Sequence, residues 1–240
     1  MAKPENDTSA SEPNETAASD PTEDVASELF DELLAADVLV EGEAGVRTTD
    51  EFDDTHAVYH DSYVGVPDEE FHESVAATFG LPDSETAADA IVERGLTRTD
   101  LAVALSVRSH CDDLTANELA VAAGMVGEIV PKTPVPADLP DVSDDPDWFV
   151  TVNDRAVVTV WKRFCDPCER IKDDLDALLD GAPESVAVAG IDGEVAVEFC
   201  EEFTVDAAPG FVLFEDGEAI RTVTGSDREE IRSALRAVYS

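Results

Sequence analysis

The sequence predicts an α/β unit, a central mixed sheet flanked by helices, over residues 147–240. A mostly α region and a disordered acidic tail precede it. Three observations carry this. Residues 156–160 form a β-branched apolar run that leads through Trp161-Lys162-Arg163-Phe164 into Cys165-Asp166-Pro167-Cys168 and then into a helical pattern. Beyond it, apolar runs and amphipathic stretches alternate as strand, helix, strand, strand, helix. Before it, apolar residues between 24 and 131 recur at helical spacing.

In chain order, residues 1–23 are rich in Ser, Thr, Pro, Asn, Asp and Glu, lack aromatics, and are expected to be disordered. Val25, Leu29, Phe30, Leu33 and Leu34 then mark a first helix. Val38-Leu39-Val40, with Gly42, Gly45 and Val46, suggest a short hairpin. A helix over 50–63 would offer Phe52, Val58, Tyr59 and Tyr63 to a core. Another over 69–79 stops at Gly80, and Ser84 can cap a third that runs to Gly95. A helix over 100–109 follows. Thr115 and Glu118 form a capping box that opens a last helix, ended by Pro131. Residues 24–131 thus read as a mostly helical domain, either a docking or regulatory module or a plain scaffold. Residues 132–146, with Pro134, Pro136, Pro140 and Pro146 among acidic residues, read as a stiff, extended linker. In the last unit the strands fall at 155–160, 186–191, 210–215 and 218–223, the helices at 167–180, 194–203 and 227–238. The first two strands are expected to be parallel, joined by a right-handed crossover, and the last two antiparallel about Asp216-Gly217. Ser226 and Glu229 suggest a second capping box.

Cys165 and Cys168 are three residues apart on the first turn of a helix, close enough for their sulfurs to join. The free N–H groups and positive dipole end of that turn favour a thiolate, and a thiolate attacks disulfides. A strand–CxxC–helix context without an export signal reads as a redox motif. A zinc knuckle or an inert pair are the alternatives. Zinc needs four ligands, and Cys111 and Cys200 form no second close pair. His56 and His60, four apart, would share a helix face that a metal can use, but no third ligand stands at a telling distance, so surface or half-buried histidines are the expectation. Arg108 and His110 would lower the Cys111 thiol pKa, yet both spare cysteines read chiefly as buried residues.

The chain carries 56 acidic and 15 basic residues, a formal net charge of −41, spread along its length. Such self-repulsion destabilises a compact fold in dilute salt, whereas near 1 M the Debye length is only about 3 Å. The charge therefore implies a salt-rich cytoplasm, as in the haloarchaea, or else an acidic surface built for a basic partner. It argues against a nucleic-acid ligand, which requires positive charge. No stretch approaches a signal peptide or membrane span, so a cytoplasmic protein is expected. No feature of the sequence sets an oligomeric state.

Residues from about 147 to 240 resemble the thioredoxin family. The likeness rests on the strand ending in Trp161, Phe164 before Cys165, the C-x-P-C motif, Gly190-Ile191-Asp192, Val205-Asp206-Ala207-Ala208-Pro209, the strand and turn over 211–218, and Gly225 before the last helix. It implies a thioredoxin-like fold and a dithiol that reduces protein disulfides, with Cys165 as nucleophile, Cys168 as the resolving thiol and Pro209 as a cis residue facing them. Trp161 and Phe164 would border the site, and the Ala208 backbone would pair with an extended partner. No bound cofactor is implied beyond the redox-active disulfide itself. A reductase electron donor is.

Four positions depart from the family pattern. Thr159 replaces a buried aspartate, Val188 its lysine partner, Asp166 a glycine between the cysteines, and Gly210 a threonine after the proline. The first two suggest a changed proton route. Asp166 opposes the thiolate, with Lys162 and Arg163 as offsets, and Gly210 would loosen its loop. The sequence thus predicts a cytoplasmic thiol–disulfide oxidoreductase contributing to redox homeostasis. The alternative is a thioredoxin-like binding or redox-sensing scaffold whose helical domain recruits a partner.

Overall fold

The structure, a computed structural model, describes residues 21–239 except 44, 181 and 184, and only the backbone of 21–24. Most of the tail expected over 1–23 lies outside the described residues. The first helix, α1 (Pro21–Ala35), starts inside that range, with Pro21 at its head, where a missing N–H costs nothing. The helical region continues with the hairpin β1 (Leu39–Gly42) and β2 (Gly45–Thr48), then α2 (Asp50–Tyr63), α3 (Asp68–Phe79), α4 (Ser84–Arg94), α5 (Arg98–His110) and α6 (Ala116–Ile129). Its cores gather around Phe52, Leu33 and Leu119 and around Phe71 and Leu101.

Capping chemistry sets these boundaries. Thr97 with Asp100 and Thr115 with Glu118 form full capping boxes, and Gly80 and Gly95 end α3 and α4 in the left-handed region, which costs glycine little. Two expectations are corrected. Asp83, not Ser84, caps α4, its carboxylate accepting the Thr86 N–H at 2.8 Å. On α2, Val58 is exposed whereas His56 and His60 are buried, because the face that carries Phe52 continues through positions 56 and 60.

The α/β unit is a four-stranded mixed sheet in the order β4-β3-β5-β6, formed by β3 (Arg155–Trp161), β4 (Ala187–Asp192), β5 (Gly210–Glu215) and β6 (Glu218–Thr224). β3 and β4 are parallel, and β5 is antiparallel to both β3 and β6. Alternation along the strands divides the core between two faces. Val157, Trp161, Phe211 and Leu213 face one side, against α8 (Asp166–Lys172), α9 (Leu175–Leu179) and α11 (Arg228–Tyr239). Ala156, Val158, Val160, Val212 and Phe214 face the other, against α7 (Pro146–Val152) and α10 (Val197–Glu202).

Four local expectations change here. The helix expected over 167–180 is two helices, because Asp174 N–H turns to the Ile171 carbonyl at 3.1 Å, and paired aspartates suit a helix interior poorly. α7 adds a helix where the sequence pattern marks none; Asp145 caps it through the Trp148 N–H, and Pro146 occupies its first turn. Asp227, not Ser226, caps α11, accepting from Glu229 and Glu230 N–H. The proline-rich segment does not cross solvent. Val135 is buried in the sheet's core, and Asp141 bridges Gly190 at the β4 edge, with Pro140 and Val142 bonded to the Gly190 backbone.

No described helix is long and apolar enough to cross a membrane.

Candidate active site

β3 ends in Trp161, and Lys162, Arg163 and Phe164 turn the chain into α8. Phe164 adopts φ 49°, an uncommon value for a side-chain-bearing residue. Cys165 is the N-cap of α8, and Pro167 sits in its first turn. Cys165 and Cys168 are joined in a disulfide, with Cα atoms 5.2 Å apart. Cys165 Sγ accepts the Cys168 N–H at 3.2 Å and is partly exposed, whereas Cys168 is fully buried. The two sulfurs therefore differ in access, although they belong to one turn.

The Ala208–Pro209 peptide is cis. Its loop faces the disulfide: the Ala208 carbonyl oxygen lies 3.6 Å from Cys165 Sγ. Gly210 does not loosen this loop. A Cβ there would stand 2.5 Å from Val205 Cγ1, so the valine occupies the space that a side chain would need. Cys165, Cys168, Ala208 and Pro209 thus come together.

Trp161 does not join them at the surface. It is fully buried, and its Nε1–H donates to Thr159 Oγ1 at 2.7 Å. A residue so enclosed cannot touch a partner, which corrects its expected part in substrate binding. Thr159 in turn donates to the Ala189 carbonyl at 2.9 Å. The position that departs from the family aspartate is therefore a satisfied neutral hydroxyl. Val188, its companion, is half-buried against the same core.

The helical region meets this site through side chains that sequence reasoning left unassigned. Phe164 receives the ring of His56 at 5.0 Å and that of His60 at 5.5 Å, both edge-on. His60 Nε2 meets Glu194 Oε2 at 3.2 Å, and Lys162 Nζ meets the other Glu194 oxygen at 3.3 Å. The Arg163 guanidinium donates to the carbonyls of Pro131, at 2.6 Å, and Lys132. All three residues before Cys165 are thus engaged from the helical region or by its partner Glu194. Lys162 and Arg163 are committed there and do not pair with Asp166. The one readable sign was the i, i+4, i+8 row Phe52, His56, His60. It marks a buried face without saying what covers it.

Burial drives the electrostatics. His56 is held at about 4, chiefly by burial, then by repulsion from His60 and Arg163. Burial pushes the Glu194 carboxyl up, but the hydrogen bond and charge of His60, with Lys162, bring it below its ordinary value. Burial raises Asp192, beside them. The Cys111 and Cys200 thiols are both raised, first by burial and then by neighbouring carboxylates, so Arg108 and His110 do not activate Cys111. Among the described residues, no three side chains of His, Cys, Asp or Glu converge as a metal site would require.

Residues 142–237 match the thioredoxin family model. The chain is 31% identical to thioredoxin of Malassezia sympodialis over 88 residues, which is 36% of this chain and 84% of that protein. It is 28% identical to thioredoxin of Porphyra purpurea over 90 residues, 37% of this chain and 84% of that protein. It is also similar to the crystal structure of oxidised mitochondrial thioredoxin 3 from Saccharomyces cerevisiae. That match has TM-score 0.38 and 22% identity, and covers 41% of this chain and 94% of that one.

Proposed function

The chain belongs to the thioredoxin family, and from that premise we propose that it is a thiol–disulfide oxidoreductase that reduces protein disulfides through Cys165 and Cys168. The observation that carries this reading is the unequal access of two sulfurs in one bond, the outer one 3.6 Å from the carbonyl oxygen of Ala208 beside a cis proline.

In the reduced chain the Cys165 thiolate attacks one sulfur of the substrate disulfide. A Cys165–substrate bond forms, the substrate S–S bond breaks, and the first substrate thiolate leaves and is protonated by water. Cys168, having lost its proton, then attacks Cys165 Sγ. The intramolecular disulfide forms and the second substrate thiolate leaves. Two electrons have passed from the dithiol to the substrate, and an external dithiol reductase must return them. The Cys168 N–H steadies the Cys165 thiolate by a charge-assisted hydrogen bond. No other cofactor enters these steps.

The buried proton on Cys168 has no carboxylate at position 159 to receive it, so its removal depends on water or on a more distant group. We place this chemistry in a salt-rich cytoplasm, as in a haloarchaeon, on the strength of the −41 net charge. Its role there is redox homeostasis. We take residues 24–131 as the helical domain, 132–146 as the connecting segment and 147–240 as the redox domain.

The test is turnover of a protein disulfide in molar KCl. Cys165→Ser should abolish it. Cys168→Ser should accumulate a mixed disulfide with the substrate. Undiminished turnover by Cys165→Ser would sink the proposal. So would a wild-type chain that turns nothing over, the result expected of a redox-sensing scaffold.

A further inference from the structure

A cavity of about 840 Å³ opens between the helical region and the loops that follow β3 and β4. Arg94 and Arg98 reach it from the helical region, Lys132 from the segment after α6, and Arg163 from the loop before Cys165. These are four of the chain's 15 basic residues, set against only four of its 56 acidic ones. Composition alone would line such a cavity with several carboxylates for each cation, so cations are gathered here. The four carboxylates already have partners. Asp68 holds Arg98 at 2.6 Å, and Asp100 closes the capping box with Thr97. Glu194 is shared by His60 and Lys162, and Asp192 accepts the Glu194 N–H at 2.9 Å. The cations are less fully matched. Arg94 is exposed, and its side chain makes no hydrogen bond or ion pair among the described residues. Arg163 meets only the main-chain carbonyls of Pro131 and Lys132, dipoles that leave its charge uncancelled. The Lys132 side chain is 68% exposed, and its surface pair with Glu128 is weak. Spare donors therefore outnumber spare acceptors around this cavity. There is also room. Arg94, Lys132 and Gly127 continue it into a cleft of about 230 Å³ over α6, where a Cβ on Gly124 or Gly127 would meet nothing within 4 Å.

We propose that this cavity is a binding site for a small polyanion, a molecule that carries two or more phosphate or carboxylate groups and is held by Arg94, Lys132 and Arg163. Guanidinium groups suit this ligand because their fork matches the paired oxygens of phosphate and carboxylate alike. More than one anionic group is needed because the spare cations come from separate elements, α4, the segment after α6 and the loop after β3, and the cavity is far larger than a single ion. A free polyanion is also the ligand that the rest of the surface repels, since the chain carries a net charge of −41. A locally cationic cavity is then the place where such a ligand can settle. Bound there, it joins the helical region to the loop that leads into Cys165. The site goes beyond the thiol–disulfide reading and does not rest on it.

The experiment titrates the oxidised full chain in molar KCl with pyrophosphate and, separately, with citrate. Salt at that level screens diffuse attraction beyond about 3 Å, so what remains is direct contact. Calorimetry reads the affinity, and the thermal midpoint reads the stabilisation that a ligand of the folded state must bring. At least one probe should bind and raise the midpoint. Binding of pyrophosphate alone identifies phosphate as the group recognised, and binding of citrate alone identifies carboxylate; either supports the site. Arg94→Gln should weaken binding by about tenfold, the loss of one charge-assisted contact, and should leave the midpoint of the unliganded chain unchanged because the side chain has no partner to lose. Gly127→Leu favours the helix and fills the open space beside α6, so it should abolish binding although every cation is still present. Arg221→Gln removes an exposed, unpaired arginine from β6, outside the cavity, and should leave the affinity as it was. Failure of both probes to bind would overturn the proposal. So would binding that survives either Arg94→Gln or Gly127→Leu, or that falls as far with Arg221→Gln as with Arg94→Gln. The dithiol stays oxidised throughout, so failure here leaves the thiol–disulfide reading untouched, and a chain that turns over no disulfide leaves this site untouched.

Discussion

At the scale of single residues, the site is governed by what surrounds each polar atom. Thr159 satisfies the Trp161 indole N–H and the Ala189 carbonyl at once, inside the sheet's core. Thr159→Val keeps the shape and removes both bonds. It should cost about 1–3 kcal/mol in urea denaturation at fixed molar KCl, because it leaves a buried donor unpaired. Asp166 is exposed beside Cys165, and the nearby cations Lys162 and Arg163 are bound elsewhere. Asp166→Asn should therefore lower the thiolate pKa and speed alkylation of reduced Cys165 about twofold below neutral pH, as expected for one solvent-screened charge. An unchanged alkylation profile would show that the aspartate charge does not reach the sulfur. The residue types at these positions were legible in the sequence. The commitments of Lys162 and Arg163 were not, because their partners lie far along the chain and no local spacing encodes such a pairing.

At the scale of elements, legibility followed the range of the causes. β3 could be read because a β-branched run buried on both faces has few other solutions, and α6 because its capping box is local chemistry. The split of α8 from α9 and the identity of the α4 and α11 caps turned on single backbone hydrogen bonds between competing neighbours. The segment over 132–146 packs on the sheet, where a solvent-crossing path is expected, for a different reason. Proline and acid content describe stiffness and solubility, but Val135 is drawn inward by a hole in the sheet at Gly190. A Cβ on Gly190 would stand 2.4 Å from Val135 Cγ1. Gly190→Ala should thus destabilise the oxidised protein by about 1–3 kcal/mol, and much less in a Val135→Ala background. Additive costs in that double-mutant cycle would mean that the two residues do not share the space.

At the scale of the whole molecule, two terms decide when the helical region and the sheet hold together. The first is the histidine contact. His56 titrates near 4 in the folded chain and near 6.5 when unfolded, so the unfolded chain takes up the extra proton between those values. Its contribution is present above about pH 6.5 and is lost as pH falls towards 4, on the order of 3 kcal/mol in all. The groups facing it are His60, Arg163 and, through His60, Glu194. Denaturation midpoints taken from neutral to mildly acid pH at fixed KCl should fall, and His56→Gln should flatten the slope. A slope that survives the substitution belongs to other groups. The second term is self-repulsion. A chain of net charge −41 should lose its fold in dilute buffer and regain it in molar KCl, whereas an acidic surface kept for a basic partner would leave stability nearly indifferent to salt.

All of this depends on two chemically identical thiols being made unequal by their place on one helical turn. Timed alkylation of the fully reduced, folded chain in molar KCl, with each cysteine followed by peptide mass, measures that inequality. The account predicts rapid modification of Cys165, with Cys168 protected until the chain unfolds. Equal labelling of the two, or faster labelling of Cys168, would contradict it.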